Sequence, residues 1–398
     1  MILLLLIIPL VSAEQVEDFN DKTDLTLSYT SEGEMNLQGS SGFDYLTAIL
    51  YLFPRESQRQ EVLSLTTTPT SSKTDTDITF TWDSFQEKLI YQLDSEIKTI
   101  NQIYPVEPAS FPIQDLDPQY EQYLAAEEII DITPEIITKA SQLTAGETDL
   151  YTAVYKVATW VNEGVEYDLN TLTSQASQKA SWVLENEQGV CDEMTSLFVA
   201  MARSLGIPAR FVSGISYTTS ELFDENWQPH GWAEVFFPDI GWVSFDITFG
   251  EYGYIDVTHI KLRDGFDPAE PATKFEWLAS NVLLTTEQLS FNVNLYDKGT
   301  QSEPEILVEQ EILSDEIGFG SYNLVKGIIK NNQPYYTATT VQLAVPEEIE
   351  IIERNKRTIL LHPHEVRETY WIVNLLTILT VLSYIHFPQL SIQKRMCL

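Results

Sequence analysis

Cys191 is the residue best placed to act as a nucleophile. Behind it, apolar residues recur at helical spacing: Met194, Leu197, Phe198, Met201 and Leu205. Gly206 and Pro208 predict the end of this helix. Cys191 therefore begins a helix, where unpaired N–H groups and the helix dipole favour the thiolate that attacks carbonyl carbon.

A histidine and an aspartate follow in an order that suits a thiol nucleophile. Asp192 and Glu193 oppose ionisation of the neighbouring thiol, so we expect a second group that can carry positive charge. His230 stands at the start of a predicted strand, and Asp246 ends the next predicted strand after a short turn. An antiparallel pair of strands can place Asp246 beside His230, where its carboxylate orients the ring and stabilises the imidazolium. Cys191, His230 and Asp246 are therefore the candidate catalytic residues.

The segments that carry these residues resemble the transglutaminase-like superfamily, the papain-like thiol enzymes, here of the microbial exported type. The family motifs are a G-x-C helix start that ends in G-I-P-A-R, then H-x-W-x-E, then G-W-x-x-x-D. They correspond here to Gly189 to Arg210, His230 to Glu234 and Gly241 to Asp246. The usual D-P-T ending is Asp246-Ile-Thr248, which keeps the carboxylate. The residues from Tyr252 to His259 are also similar to the family, and we expect His259 to be structural rather than catalytic.

The resemblance implies that Cys191 is the nucleophile, His230 the general base and acid, and Asp246 the residue that orients His230. It implies acyl transfer on protein or peptide amides through an acyl-enzyme, which water or a primary amine resolves. We expect hydrolysis, as a peptidase or deamidase, rather than cross-linking, because prokaryotic relatives are more readily expected to hydrolyse. The Cys191 backbone N–H is the natural oxyanion donor, and we expect a second donor near Gln188 or Trp182.

A different class of function stays open. The chain could be a non-catalytic cell-surface protein for binding or adhesion that uses the transglutaminase-like domain as a scaffold. Loss of a triad residue would favour that alternative, whereas Cys191, His230 and Asp246 are all present.

Composition and charge exclude several classes of protein. The chain has 398 residues, enough for two or three domains of about 150 residues each. It has 23 Lys and Arg against 59 Asp and Glu, a net charge of −36 that excludes nucleic acid as a partner. Its two cysteines form no C-x-x-C pair, so zinc sites built on cysteine are excluded. We expect His362 and His364, the nearest pair of metal-binding type, on a solvated strand face, and we assign no metal and no cofactor.

The hydrophobic periodicity, together with the resemblance, predicts the α+β class, with a papain- or transglutaminase-like core between N-terminal and C-terminal β-sandwich-like domains. We divide the chain into a signal peptide (1–13), a β-rich domain (14–104), a linker (105–118), the transglutaminase-like catalytic domain (119–265) and a β-sandwich-like, Ig-like domain (270–369). Period-two alternation marks the flanking domains, and helical spacing marks the start of the core.

Two apolar segments, one near each end of the sequence, predict the localisation of the protein. The first 13 residues are apolar and end in small residues at Val11 and Ala13, which is typical of a signal peptide and so of an extracellular or cell-surface protein. Residues 370–387 contain no Asp, Glu, Lys or Arg and predict either a single transmembrane helix or the last strands of the β-sandwich. The sequence does not indicate an oligomeric state.

Overall fold

The computed structural model describes residues 19, 21–39, 42–171 and 177–376, and the backbone of 391–394. These residues form a central domain of helices packed on a sheet, with a β-sandwich on either side along the chain. The predicted α+β class with flanking β-sandwiches is confirmed. The proposed signal peptide at 1–13 lies outside the described residues.

The elements follow in chain order. The first part of the chain forms β1 (Asp24–Gln38), β2 (Phe43–Leu50), β3 (Gln60–Thr68), β4 (Ser72–Lys73), β5 (Ile78–Trp82) and β6 (Lys88–Ile100). Next come a 3₁₀ helix (Pro118–Leu124), α1 (Pro134–Leu143), α2 (Leu150–Gly164), β7 (Glu166–Tyr167), a second 3₁₀ helix (Leu169–Thr171), α3 (Ala180–Asn186), β8 (Gln188–Gly189) and α4 (Cys191–Ser204). The central sheet is built from β9 (Ala209–Tyr217), β10 (Trp227–Phe237), β11 (Gly241–Asp246), β12 (Glu251–Tyr252) and β13 (Ile260–Gly265). The last part forms β14 (Thr273–Ala279), β15 (Leu283–Thr286), β16 (Ser290–Lys298), β17 (Ile306–Ile312), β18 (Tyr322–Asn331), β19 (Thr337–Ala344), β20 (Ile349–Ile351), β21 (Arg357–Leu361), β22 (Val366–Leu375) and β23 (Ser391–Lys394).

The N-terminal sandwich is built around the long strand β1. Its alternate side chains, such as Leu25, Leu27 and Tyr29, are buried between the two sheets, as the period-two pattern predicts. One sheet has the order β15–β1–β6–β3, with β16 also paired to β1, and the other has the order β14–β2–β5–β4. The core of this sandwich continues into the central domain through Ile260 and Leu262 of β13.

The N-terminal sandwich takes three strands from a later part of the chain. The sequence predicts one C-terminal domain over 270–369, but β14 pairs with β2, and β15 and β16 pair with β1. Alternation shows that a segment is a strand without showing which strand it joins. Because β1 would otherwise expose a long unpaired edge, the returning chain is used to cover it.

The central domain places α4 in its middle. Every residue from Glu193 to Arg203 is buried, as expected for a helix that has neighbours on all sides. The other helices pack around α4, and the antiparallel sheet β12–β11–β10–β9–β13 covers its remaining face. The stretch 105–118, predicted as a linker, contributes Val106 to the core of this domain and so is packed against it.

The C-terminal sandwich consists of the sheets β17–β18–β22–β20 and β21–β19–β23. Its buried core contains Trp371 and Val373 of β22. Residues 370–375, predicted as part of a membrane helix or of final strands, therefore end β22, and 377–387 lie outside the described residues. Within the part of the chain that the structure describes, no helix is long and apolar enough to cross a membrane.

Candidate active site

Cys191 is the first residue of α4, where the spacing of apolar residues predicts the helix to begin. Its side chain is half-buried and forms a free thiol. Glu193, buried in the first turn, accepts hydrogen bonds from the Val190 N–H at 2.9 Å and from the Thr171 hydroxyl at 2.6 Å. These bonds satisfy a donor at the helix start and hold the segment that carries the thiol.

His230 and Asp246 lie on adjacent antiparallel strands, β10 and β11. The His230 Nε2 and Asp246 Oδ2 atoms are 2.5 Å apart, and both side chains are buried. The other carboxylate oxygen of Asp246 accepts from the Phe249 N–H at 2.9 Å, and the Phe249 ring stacks on His230 with centroids 4.8 Å apart. Because Asp246 holds Nε2, the Nδ1 atom of His230 is the ring nitrogen left for a thiol.

A hydrogen bond joins the cysteine helix to the histidine strand. The Thr195 hydroxyl, in the second turn of α4, donates to the Gly231 carbonyl at 3.0 Å. Cys191 and His230 both line one cleft at this junction. The structure therefore brings all three sequence-predicted site residues into one region, with His230 between the cleft and Asp246.

A second histidine, His259, binds the same carboxylate. Its Nε2 atom is 3.0 Å from Asp246 Oδ2, and its Nδ1 atom is 3.0 Å from Asp256 Oδ1. Burial opposes ionisation of Asp246, but the charges and hydrogen bonds of His230 and His259 outweigh it and hold the Asp246 pKa below its usual range. The sequence predicts a structural role for His259, and no motif in it indicates this contact with Asp246.

The surroundings of the thiol favour its neutral form. The Cys191 Sγ atom lies 3.6 Å from Asp192 Oδ1. Burial, and then the Asp192 charge, raise the pKa of the Cys191 thiol well above its ordinary value. The helix dipole alone therefore does not produce a thiolate here, and a base must take the thiol proton. Burial also raises the pKa of Asp192, which weakens its opposing charge.

The cleft beside Cys191 has a volume of about 350 Å³. The described residues that line the cleft include no Asp, Glu, Lys or Arg. They combine apolar side chains such as Leu222 and Phe223 with neutral polar ones such as Ser216 and Gln228. Such a lining suits an uncharged segment of substrate.

Tyr167 is a further cleft residue, and no sequence motif indicates it. It pairs with Gly189 in the short parallel bridge between β7 and β8, two residues before the cysteine. Burial and the nearby Cys191 raise the pKa of Tyr167, so its hydroxyl keeps its proton. Gln188 and Trp182, where a second oxyanion donor was predicted, are not among the residues that line the cleft. A strand of two residues has no periodicity by which Tyr167 could have been found.

Two overlapping groups of side chains have the composition of a metal site. They are His230 with Asp246 and His259, and Glu251 with Asp256 and His259, and in each group the candidate ligand atoms lie within 4.8 Å of one another. Hydrogen bonds already join His259 to both aspartates, so a metal would have to displace the protons that make those bonds. Hydrogen bonds between the histidine nitrogens and the carboxylates therefore account for the close approach of these side chains.

Comparisons with known proteins find similarity to the part of the chain that carries these residues. Residues 137–247, which include Cys191, His230 and Asp246, match the family model of the transglutaminase-like superfamily. Over 139 residues the chain is 30% identical to the uncharacterized protein YebA of Bacillus subtilis (strain 168), a match that covers 31% of this chain and 19% of YebA. The chain therefore corresponds to only a small part of that curated relative.

Solved structures resemble the chain over a larger share of its length. The crystal structure of a candidate cysteine protease from Cytophaga hutchinsonii has a TM-score of 0.52 at 17% identity, covering 71% of this chain and 93% of that one. The periplasmic domain of TgpA from Pseudomonas aeruginosa, bound to ethylmercury, has a TM-score of 0.30 at 15% identity, covering 55% of this chain and 89% of that one. The likeness to the Cytophaga structure shows a shared fold, and within that fold residues 137–247 match the transglutaminase-like superfamily.

Proposed function

We propose that this chain is a thiol enzyme that cleaves amide bonds of proteins or peptides by acyl transfer to Cys191, with His230 as base and acid and Asp246 as its partner. The observation that carries the proposal is the 2.5 Å contact between His230 and Asp246, next to a cleft that His230 shares with Cys191. A histidine oriented in this way by a carboxylate, beside a thiol, is the arrangement that nucleophilic catalysis needs.

The proposed reaction begins with proton transfer from the Cys191 thiol to His230 Nδ1 as sulfur attacks the amide carbonyl carbon. The tetrahedral intermediate collapses when His230 returns this proton to the leaving amine and the C–N bond breaks. Water then attacks the thioester and gives a proton to His230, the C–S bond breaks as His230 returns this proton to the Cys191 sulfur, and the acid leaves. The Asp246 carboxylate stabilises the imidazolium that forms in both halves.

The negative charge on the carbonyl oxygen needs donors in the cleft. The Cys191 backbone N–H, at the start of α4, supplies one. We assign the second to the Tyr167 hydroxyl, since that residue lines the cleft and keeps its proton.

Hydrolysis is proposed ahead of cross-linking, and neutral substrate segments ahead of charged ones. The cleft lining described above holds no acidic side chain that would attract a lysine amine as second substrate. We also propose that the enzyme is exported, because its first 13 residues are apolar and typical of a signal peptide. A protein that only binds peptides in this cleft is the alternative.

The first test follows the chemistry of the thiol without needing a substrate. Iodoacetamide labelling and peptide mass spectrometry compare Cys191 with Cys397 in the full chain, in the wild type, in His230→Ala and in the control His364→Asn, which changes an exposed histidine of the C-terminal sandwich. We expect His230→Ala to slow labelling of Cys191 near about pH 7, where a free thiol is mostly protonated, and His364→Asn to leave it unchanged. Equal labelling rates in all three proteins would refute the role of His230.

The second test identifies the reaction. The full chain is incubated with peptides that carry neutral or charged residues around a central glutamine, and new N-termini, released ammonia and incorporation of a primary-amine probe are measured. We expect new N-termini or ammonia, and a thioester on Cys191 after acid quench, all absent in Cys191→Ala. Peptide binding by both proteins with no product from either would favour the scaffold alternative.

A further inference from the structure

We propose that His259 is a positioning residue for the acyl-transfer reaction: it fixes the Asp246 carboxylate in the orientation from which that carboxylate holds His230. The inference deepens the proposed function and rests on it. His259 does not line the cleft, so it acts through Asp246 rather than on substrate.

The geometry gives His259 two donor bonds. Its side chain is fully buried, and its two ring nitrogens face two different carboxylates, Asp246 and Asp256, each at 3.0 Å. An ionised carboxylate only accepts hydrogen bonds, so both nitrogens carry a proton and the ring is an imidazolium. Burial would lower the pKa of His259, but Asp256 and Asp246 outweigh burial and raise it to about 10.

Charged groups of both signs surround His259. Asp246 and Asp256 face its ring, and Glu251 lies beside Asp256 with its carboxyl kept neutral, because burial and then the Asp256 charge raise its pKa well above the usual range. Arg59, a buried residue of the N-terminal sandwich, donates to the Asp256 carbonyl oxygen. His259 and Arg59 thus place two positive charges near the carboxylates of Asp246 and Asp256.

This arrangement has a consequence for His230, the remaining titratable group at Asp246. Because His259 donates to Asp246 Oδ2, that carboxylate keeps a buried partner of its own while His230 takes up and gives back the Cys191 proton. Without His259, Asp246 would be a buried charge whose remaining side-chain partner among the described residues is His230.

Asp256 is itself held firmly, so it can hold His259. Its Oδ1 atom accepts from the Thr258 N–H at 2.7 Å and from the Thr258 hydroxyl at 2.5 Å, and its own N–H donates to Glu251 at 3.0 Å. The segment from 251 to 259 therefore forms a rigid support behind Asp246. A residue that merely filled space here would need neither the two carboxylates nor a charge.

The first experiment reads the protonation of His259 directly. Full-length protein labelled with ¹⁵N-histidine is followed by NMR between about pH 6 and pH 9, where an ordinary imidazole loses its charge. We expect one histidine to keep protons on both nitrogens throughout; this signal should vanish in His259→Gln and persist in His364→Asn. Absence of a doubly protonated histidine in wild-type protein above about pH 8 would overturn the inference, even if the variant failed to fold.

The second experiment asks whether His259 acts through Asp246. Iodoacetamide labelling of Cys191 is measured against pH in His259→Gln, Asp246→Asn and the double variant. We expect each single change to slow labelling by about tenfold near neutral pH, and the double variant to be no slower than Asp246→Asn, since coupled residues are not additive. A folded His259→Gln protein with the wild-type pH profile would refute the positioning role.

These readouts separate the inference from the proposed function. Neither the NMR signal nor the alkylation rate requires a substrate. If both results are as expected and no peptide is cleaved, the network exists and the hydrolase proposal fails. If peptides are cleaved and His259 is neutral, the hydrolase proposal stands and the positioning role fails.

Discussion

Glu234 lies directly opposite Arg210 on the neighbouring strand, and Arg210 Nη2 is 2.5 Å from Glu234 Oε2. Lys261 of β13 approaches the same carboxylate at 2.9 Å, so one buried acid joins β9, β10 and β13. Burial disfavours its charge, but Lys261 and Arg210 outweigh burial and lower the pKa of Glu234 to about 2. Arg210 and Glu234 end two of the sequence motifs, and their role here is to hold the sheet that carries His230.

Glu234→Gln should destabilise the protein by about 3 kcal/mol, because it removes the buried carboxylate that Arg210 and Lys261 share and leaves the more exposed Asp264 as their acidic partner. Glu309→Gln is the matched control: it changes an exposed acid paired with Lys330, and we expect an effect within about 0.5 kcal/mol. Urea unfolding at neutral pH measures both. Equal effects from the two variants would contradict the structural role of Glu234.

The Glu234 carboxylate also makes the stability of the folded protein depend on pH in the acidic range. Since its folded pKa is below its unfolded pKa of about 4.3, its contribution is present above that pH and is lost as pH falls towards about 2. The wild type should therefore lose more stability on acidification than Glu234→Gln. Urea unfolding of both proteins between about pH 5 and pH 3 gives the comparison.

The positions of Cys191, His230 and Asp246 could be predicted from the sequence, because each depends on a pattern formed by nearby residues. The helical spacing placed Cys191 at a helix start, and two predicted strands joined by a short turn placed Asp246 beside His230. These relations extend over a helix or a hairpin, so alternation and spacing suffice to describe them.

Other features depend on contacts that no local pattern contains. His259 meets Asp246 because the segment from 251 to 259 begins by pairing with the end of β11, where Glu251 lies opposite Asp246, and its residues lack a repeating spacing. Likewise, the strands β14 to β16 alternate like those of any sandwich, and only the three-dimensional structure shows that they pair with β1 and β2. Which distant strands pair with each other is decided by the packing of the whole core.

Gly231→Ala should impair the site although it adds only a methyl group. A Cβ at this position would lie 2.4 Å from Asp192 Oδ1 and 2.5 Å from Phe211 Cζ, too close for either to remain in place. We expect a loss of about 1–3 kcal/mol in stability and a changed rate of Cys191 alkylation, since the Asp192 carboxylate beside the thiol must shift.

Gly164→Ala is the control for this change. The nearest atom to its added Cβ, in the Trp160 ring, is 3.6 Å away, and the position ends α2. We expect unchanged alkylation and stability that is unchanged or raised by up to about 1 kcal/mol. Wild-type alkylation in a folded Gly231→Ala protein would show that Asp192 can move without cost to the site.

Tyr167→Phe should lower kcat for peptide cleavage by about 100-fold with little change in KM, if its hydroxyl donates to the developing oxyanion. Alkylation of Cys191 by iodoacetamide forms no oxyanion, so its rate should stay close to the wild-type value. Tyr45→Phe, an exposed change in the N-terminal sandwich, should alter neither quantity. A parallel loss of alkylation and cleavage in Tyr167→Phe would instead indicate a general disturbance of the cleft.

Stability should fall as pH rises from neutral to alkaline, because of His259. Its pKa is about 10 in the folded protein, against about 6.5 in an unfolded chain, so its contribution is complete below about pH 6.5 and is lost through about pH 10. One proton of difference gives a slope of up to about 1.4 kcal/mol per pH unit in the free energy of unfolding. Glu251, with its raised pKa, adds a slope of the same sign from about pH 4.3 upward.

Comparison of variants isolates the His259 contribution. In His259→Gln the alkaline slope should become shallower while the part due to Glu251 remains, and in His364→Asn the slope should match the wild type. Urea unfolding at half-unit steps of pH supplies the free energies. A wild-type slope in His259→Gln would mean that His259 holds no extra proton in the folded protein and does not stabilise the charge of Asp246.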